Sequence, residues 1–134
     1  MTEPEQAPEQ VIEANLNFYF ALESLDVELM EDVWLIDSSA CCVHPGGERL
    51  VGWDTIRAAW ERIFKSTTYM RVDITDVTVE VHGPVAWVTC LENISTSAGG
   101  QTHRARAYAT NIFTHDEDSG WMLSLHHTSL INDE

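Results

Sequence analysis

The stretch Met70-Arg-Val-Asp-Ile-Thr-Asp-Val-Thr-Val-Glu-Val81 decides the fold. Its apolar residues take even positions at Met70, Val72 and Ile74, then odd positions at Val77, Val79 and Val81. A period of two marks a strand with one buried face. A change of phase inside it is what one inserted residue produces, and such a β-bulge bends the strand. Downstream, Gly83-Pro84 turns the chain into a strand at 85–92 that is apolar on both faces and therefore central in its sheet. The polar run 95–100 reads as a loop. The next strand, 103–114, sets Ala105, Ala107, Ala109, Asn111 and Phe113 on one face against Arg104, Arg106, Tyr108, Thr110 and Ile112 on the other. A turn at 116–120 leads to the last strand, 121–128.

Upstream the period changes to that of helices. Val11, Ala14, Phe18, Leu22 and Leu25 recur at three and four residues, and Asp26 is placed to cap a second, shorter helix carrying Leu29, Met30, Val33 and Trp34. A short strand at 40–44 turns at Gly46-Gly47 and returns at Leu50-Val51. Ile56, Ala59, Trp60, Ile63 and Phe64 then form the stripe of a third amphipathic helix. The expectation is an α+β domain over 9–134, preceded by a loose acidic arm at 1–8. Three N-terminal helices would pack in a strongly bent, mostly antiparallel sheet that forms a cone enclosing a pocket. The three alanines of the fifth strand would leave room inside it.

Composition limits the partners. The 134 residues carry a formal net charge of −15, and all seven basic residues lie between Arg49 and Arg106. Such a surface repels nucleic acid and anionic lipid, so neither is expected as a partner. The N-terminus has none of the features of a secretory signal, which points to the cytoplasm. Cys41, Cys42 and Cys90 are an odd set without redox or zinc spacing, and read as reduced, buried thiols. His44, His126 and His127 lack the spacing of a metal site, and no metal or cofactor is expected.

The phrases Val33-Trp34, His44-Pro45-Gly46-Gly47, Gly52-Trp53, Thr110-Asn111-Ile112-Phe113, Gly120-Trp121 and His126-His127-Thr128-Ser129 resemble the SnoaL-like branch of the NTF2-like superfamily, which includes ketosteroid isomerases and polyketide-cyclase relatives. The resemblance spans nearly the whole chain beyond the arm. It implies a general base where His44 stands before Pro45, and an oxyanion donor at Asn111. It also implies a tyrosine donor where this chain has Phe18, with Tyr19 beside it on a different face. Proline restricts the residue before it to extended backbone, so His44 is held rigidly. An imidazole is a workable base near neutrality, and an amide can donate to a developing oxyanion.

Together these residues suggest ketosteroid isomerase- or cyclase-like proton transfer on a hydrophobic carbonyl compound. The structural alternatives are a turn histidine at 44 and a buried amide at 111. Further pocket candidates are Phe18, Tyr19, Trp34, Trp60, Phe64, Glu92 and His127, with His126 expected on the outer face. If the face of Glu92 is internal, its carboxylate is paired or is a perturbed acid. The outward residues Val85, Trp87, Thr89 and Leu91 need cover, which suggests a homodimer through the outer sheet face. The alternative function is a non-catalytic ligand-binding or protein-assembly module, favoured by a pocket plugged with Trp34, Trp60 and Phe64.

Overall fold

A computed structural model describes residues 6–131. Of the expected arm, 1–5 lie outside the described residues, while Ala7 and Pro8 already belong to the first helix. Proline is tolerated in that first turn because its missing N–H would have no partner there anyway. The elements run α1 Ala7–Ser24, α2 Val27–Val33, β1 Cys41–Val43, β2 Arg49–Val51, α3 Trp53–Ser66, β3 Tyr69–His82, β4 Val85–Ala98, β5 Gln101–Asp116 and β6 Gly120–Leu130. Asp26 caps α2, its carboxylate accepting from the Glu28 N–H at 2.9 Å. No helix among the described residues is long and apolar enough to cross a membrane.

The six strands form one open sheet in the order β2-β1-β6-β5-β4-β3. Only the β1–β6 pair is parallel, so the sheet is mixed. The phase change read from 70–81 is a register shift between Thr75 and Thr78, with Asp76 at φ +53°. The expected loop at 95–100 is instead strand almost to its end. The β4–β5 ladder continues to Ala98 opposite Gln101, and Gly99-Gly100 alone makes the turn. Both glycines have positive φ, the backbone a two-residue hairpin turn of matching twist requires. Polar composition misled the sequence reading here. The hairpin's side chains are partly or fully exposed, yet its backbone is paired throughout.

All three helices lie over one face of the sheet, α1 against β3, β4 and β6, and α3 against β1 and β2. Between the layers sit Phe18, Met30, Trp34, Ile56, Trp60, Phe113 and Leu123, all buried. Phe18 packs edge-on against Trp34 and Trp60, with ring centres 6.3 and 6.2 Å apart. Burial of each such side chain is worth roughly 1.5–3 kcal/mol. Arg57 joins α2 to α3, bridging Glu31 and Glu61.

Candidate functional site

Four strands place one row of side chains on the inner face. Cross-strand register sets Val88 beside Asn111, Asn111 beside His126, and His126 beside Cys42. Helix α1 crosses above this row and presents Asn15, Phe18, Tyr19 and Leu22, all buried. Their spacing is itself an i, i+3, i+4, i+7 stripe, centred between positions 18 and 19. Tyr19 therefore points inwards alongside Phe18, its ring 4.9 Å away, and does not occupy the separate face expected from sequence.

The result is a buried polar chain. Tyr19 donates its hydroxyl hydrogen to Glu92 Oε2 at 2.6 Å. Asn111 Nδ2 donates to the Tyr19 oxygen at 3.1 Å and to Asn15 Oδ1 at 2.8 Å. Asn111 Oδ1 accepts from His126 Nδ1 at 2.5 Å. That last bond fixes the neutral tautomer of His126 as Nδ1–H, leaving Nε2 as an acceptor. Cys90 Sγ lies 3.4 Å from the Tyr19 oxygen.

This arrangement alters the part expected of Asn111. Both of its amide hydrogens are engaged, so the side chain holds Tyr19 and His126 in place and is not a free oxyanion donor. One position on from Phe18, the Tyr19 hydroxyl joins this chain, bonded to both Glu92 and Asn111.

Burial dominates the electrostatics. It pushes the Glu92 carboxyl up to about 7, against the opposing pull of the Tyr19 hydrogen bond. Tyr19 and Cys42 are raised far above their ordinary values by the same cause, and the Cys90 thiol to about 11. His126 is pushed down to about 3 by burial, with repulsion from His44 and His127 adding to it. It is thus neutral throughout the ordinary range.

His44 follows the end of β1 and is half-buried. Its ring stands edge-on to Trp60 with centres 4.6 Å apart, and its Nε2 lies 3.8 Å from Cys42 Sγ. Burial and, secondarily, the Arg62 charge hold its proton affinity below the usual imidazole value. Trp34, Trp60 and Phe64 are buried between the helices and the sheet, and the indole N–H groups of Trp34 and Trp60 have no hydrogen-bond partner. No group of three or more His, Cys, Asp or Glu among the described residues is placed to hold a metal ion.

The last strand corrects one expectation. His127 is exposed and His126 is 2% exposed, the reverse of the sequence reading. The β5–β6 register shifts where Ile112 pairs with Leu125 but Phe113 pairs with Leu123. This bulge at Ser124 inverts the alternation, so Trp121 and Leu123 face inwards before it and His126 and Thr128 after it. Ala105, expected inside, is exposed near the hairpin end, while Ala107 and Ala109 are buried as part of the inner face. Asn15 also went unnoticed in the sequence, although a polar residue inside an apolar helix stripe was the available signal.

A surface cleft of about 1380 Å³ opens elsewhere, between the start of α1 and the β3–β4 and β5–β6 turns. It shares no lining residue with the polar chain.

Residues 11–133 match the SnoaL-like domain family. Among solved structures, the chain is similar to a proposed dehydratase of the NTF2-like family from Streptomyces avermitilis, at 36% identity and a TM-score of 0.90, covering 97% of this chain and 99% of that one. It is similar in fold to the S. rosetta CaMKII hub, at 22% identity and a TM-score of 0.73, covering 98% and 99% of the two chains. Among curated proteins it matches the Arabidopsis thaliana F-box protein SKIP8 at 23% identity over 126 residues, 92% of this chain. The chain spans about half the length of that relative, 52%.

Proposed function

The chain belongs to the SnoaL-like family of the NTF2-like fold, and on that premise we propose that it binds a small, mostly apolar carbonyl compound and moves a proton on it, with His44 as the base. The observation that carries this reading is His44 itself. It is fixed before Pro45, half-buried against Trp60, and holds its proton less tightly than a free imidazole. A neutral imidazole at neutral pH takes a proton from the carbon beside a carbonyl. Returning it to another carbon gives an isomerisation. If the substrate carries a hydroxyl one carbon further on, the enolate expels it, and the imidazolium proton joins the departing hydroxide as water. The similarity to a proposed dehydratase supports that second outcome. Asn111 contributes by orienting Tyr19, whose hydroxyl is the group suited to a developing oxyanion.

The test is turnover of a panel of hydrophobic ketones and 3-hydroxyketones. General-base catalysis is worth roughly 10²–10⁴-fold, so His44→Ala should lose at least ~100-fold in kcat/KM. A variant as active as the wild type overturns the assignment.

The reading also includes pairing of two copies through the outer sheet face. Trp87, Ile112, Leu125, Cys41 and Val51 stand side by side across five strands in successive registers on that face. A second reading, an assembly module without catalysis, is favoured by the burial of Trp34, Trp60 and Phe64 inside the domain and by the fold it shares with the CaMKII hub.

A further inference from the structure

Among the residues of the polar chain that the proton-transfer reading leaves without a part is an ionisable carboxyl, Glu92. Glu92 is 3% exposed on the inner face of β4 and meets the Tyr19 hydroxyl at 2.6 Å. The count of hydrogens around the tyrosine oxygen is strict. Asn111 Nδ2 can only donate, so it fills one lone pair of that oxygen, and the single phenolic hydrogen must go elsewhere. An ionised Glu92 accepts hydrogen bonds but cannot give one, and at 2.6 Å it takes that hydrogen. In this state Tyr19 has no hydrogen left for a ligand.

We propose that Glu92 is a positioning residue that sets which way the Tyr19 hydroxyl points. Its carboxylate form holds the tyrosine hydrogen. Its carboxylic acid form reverses the bond and releases that hydrogen to an oxygen of a bound carbonyl compound. The ligand half of this inference rests on the proton-transfer reading of the site. Protonated, Glu92 becomes the donor and the tyrosine oxygen accepts from both Glu92 and Asn111. The phenolic hydrogen then turns to the best remaining acceptor. In the empty site that is Cys90 Sγ at 3.4 Å, a weak acceptor that a carbonyl oxygen or enolate displaces. In passing from carboxylate to acid Glu92 takes up one proton from solvent, which forms its O–H bond, and no other covalent bond forms or breaks. One hydrogen bond reverses and one hydroxyl rotates.

The groups around Glu92 let this happen near neutrality. From α1 it faces Tyr19, from β4 Cys90, and from β1 Cys42, whose thiol its charge pushes upwards. Its cross-strand neighbours on β3 and β5 are Ile74 and Ala107, which carry no charge. Arg71, Arg104 and Arg106 are exposed and sit beside Ser95 and Asn93, whose side chains alternate to the opposite face from Glu92. With no cation among the described residues acting on it, burial holds the carboxyl at about 7.

The experiment follows two carbons by NMR in ligand-free protein labelled at tyrosine Cζ and glutamate Cδ, from about pH 5 to about pH 9. Glu92 Cδ should titrate near 7, and Tyr19 Cζ should shift at the same midpoint, losing phenolate-like character on the acid side. In Glu92→Gln the Tyr19 step should vanish. In Tyr19→Phe the Glu92 midpoint should rise, because the hydrogen bond that favours the charged form is gone. If Glu92→Gln does not fold, this second variant decides by itself. A silent Tyr19 while Glu92 titrates, a step that survives in Glu92→Gln, or a midpoint that stays or falls in Tyr19→Phe overturns the proposal.

The ligand half is read with 2-cyclohexenone, whose absorbance moves on hydrogen bonding. Its affinity should fall by roughly tenfold as pH rises through the Glu92 midpoint, the worth of one hydrogen bond. Binding without that dependence overturns the gate. Absence of binding at every pH counts against the carbonyl reading of the site and removes the ligand half with it, while the carbon titrations still judge the reversal.

Discussion

Replacing Glu92 by glutamine should change how the stability of this protein depends on pH, and the size of the change follows from burial. The folded state holds the Glu92 proton up to about 7, whereas an unfolded chain releases it at the ordinary value of 4.5. Below 4.5 both states carry the proton and the group adds no pH dependence. As pH rises from there to about 7 the unfolded chain ionises first, so unfolding becomes easier at each step. The slope ends once the folded carboxyl ionises as well. The displacement corresponds to about 3 kcal/mol of stability, lost across that window and absent above it. Glutamine keeps the shape and an acceptor for the Tyr19 hydroxyl but cannot titrate.

Urea unfolding of wild type and Glu92→Gln at a series of pH values isolates the effect, because the remaining acids are common to both. The stability of the variant minus that of the wild type should rise by about 3 kcal/mol between roughly pH 4.5 and pH 8, whatever constant offset the amide introduces. A difference that stays flat across this window would refute the claim that burial outweighs the Tyr19 hydrogen bond and raises the Glu92 carboxyl.

Two further outcomes are expected. His126 works in the opposite direction, since its folded value is pushed from 6.5 down to about 3 and its stabilising contribution is lost as pH falls through that interval. His126→Gln should flatten the acid limb of the wild-type curve by an amount on the order of 3–5 kcal/mol, read from urea midpoints between about pH 3 and pH 6.5. On the outer face, Ile112→Asp puts a charge in the middle of the apolar cross-strand row, and sedimentation should change from dimer to monomer with the far-ultraviolet spectrum unaltered. An unchanged mass would show that this face is not where two copies meet.

The division of labour between sequence and tertiary structure can be traced residue by residue. Period alone separated the helices from the strands, because an apolar stripe at three and four residues suits only one and strict alternation suits only the other. The phase change at 70–81 even disclosed the bulge of β3, since both halves of that strand carry clear apolar markers. The bulge of β6 had no such marker. Leu125 and His126 divide a segment apolar enough for either face, so only pairing with β5 decided that His126 turns inwards. Tyr19 likewise departs from its expected face, because positions 18 and 19 both border a stripe whose centre depends on how α1 lies over the sheet. The polar chain joins residues up to 96 positions apart, Asn15 and Asn111 among them. A sequence lists which groups can donate and accept. Only folding brings them within hydrogen-bond distance of one another and removes the water that would otherwise satisfy them, and that loss of water is what raises the Glu92 carboxyl and silences the His126 ring.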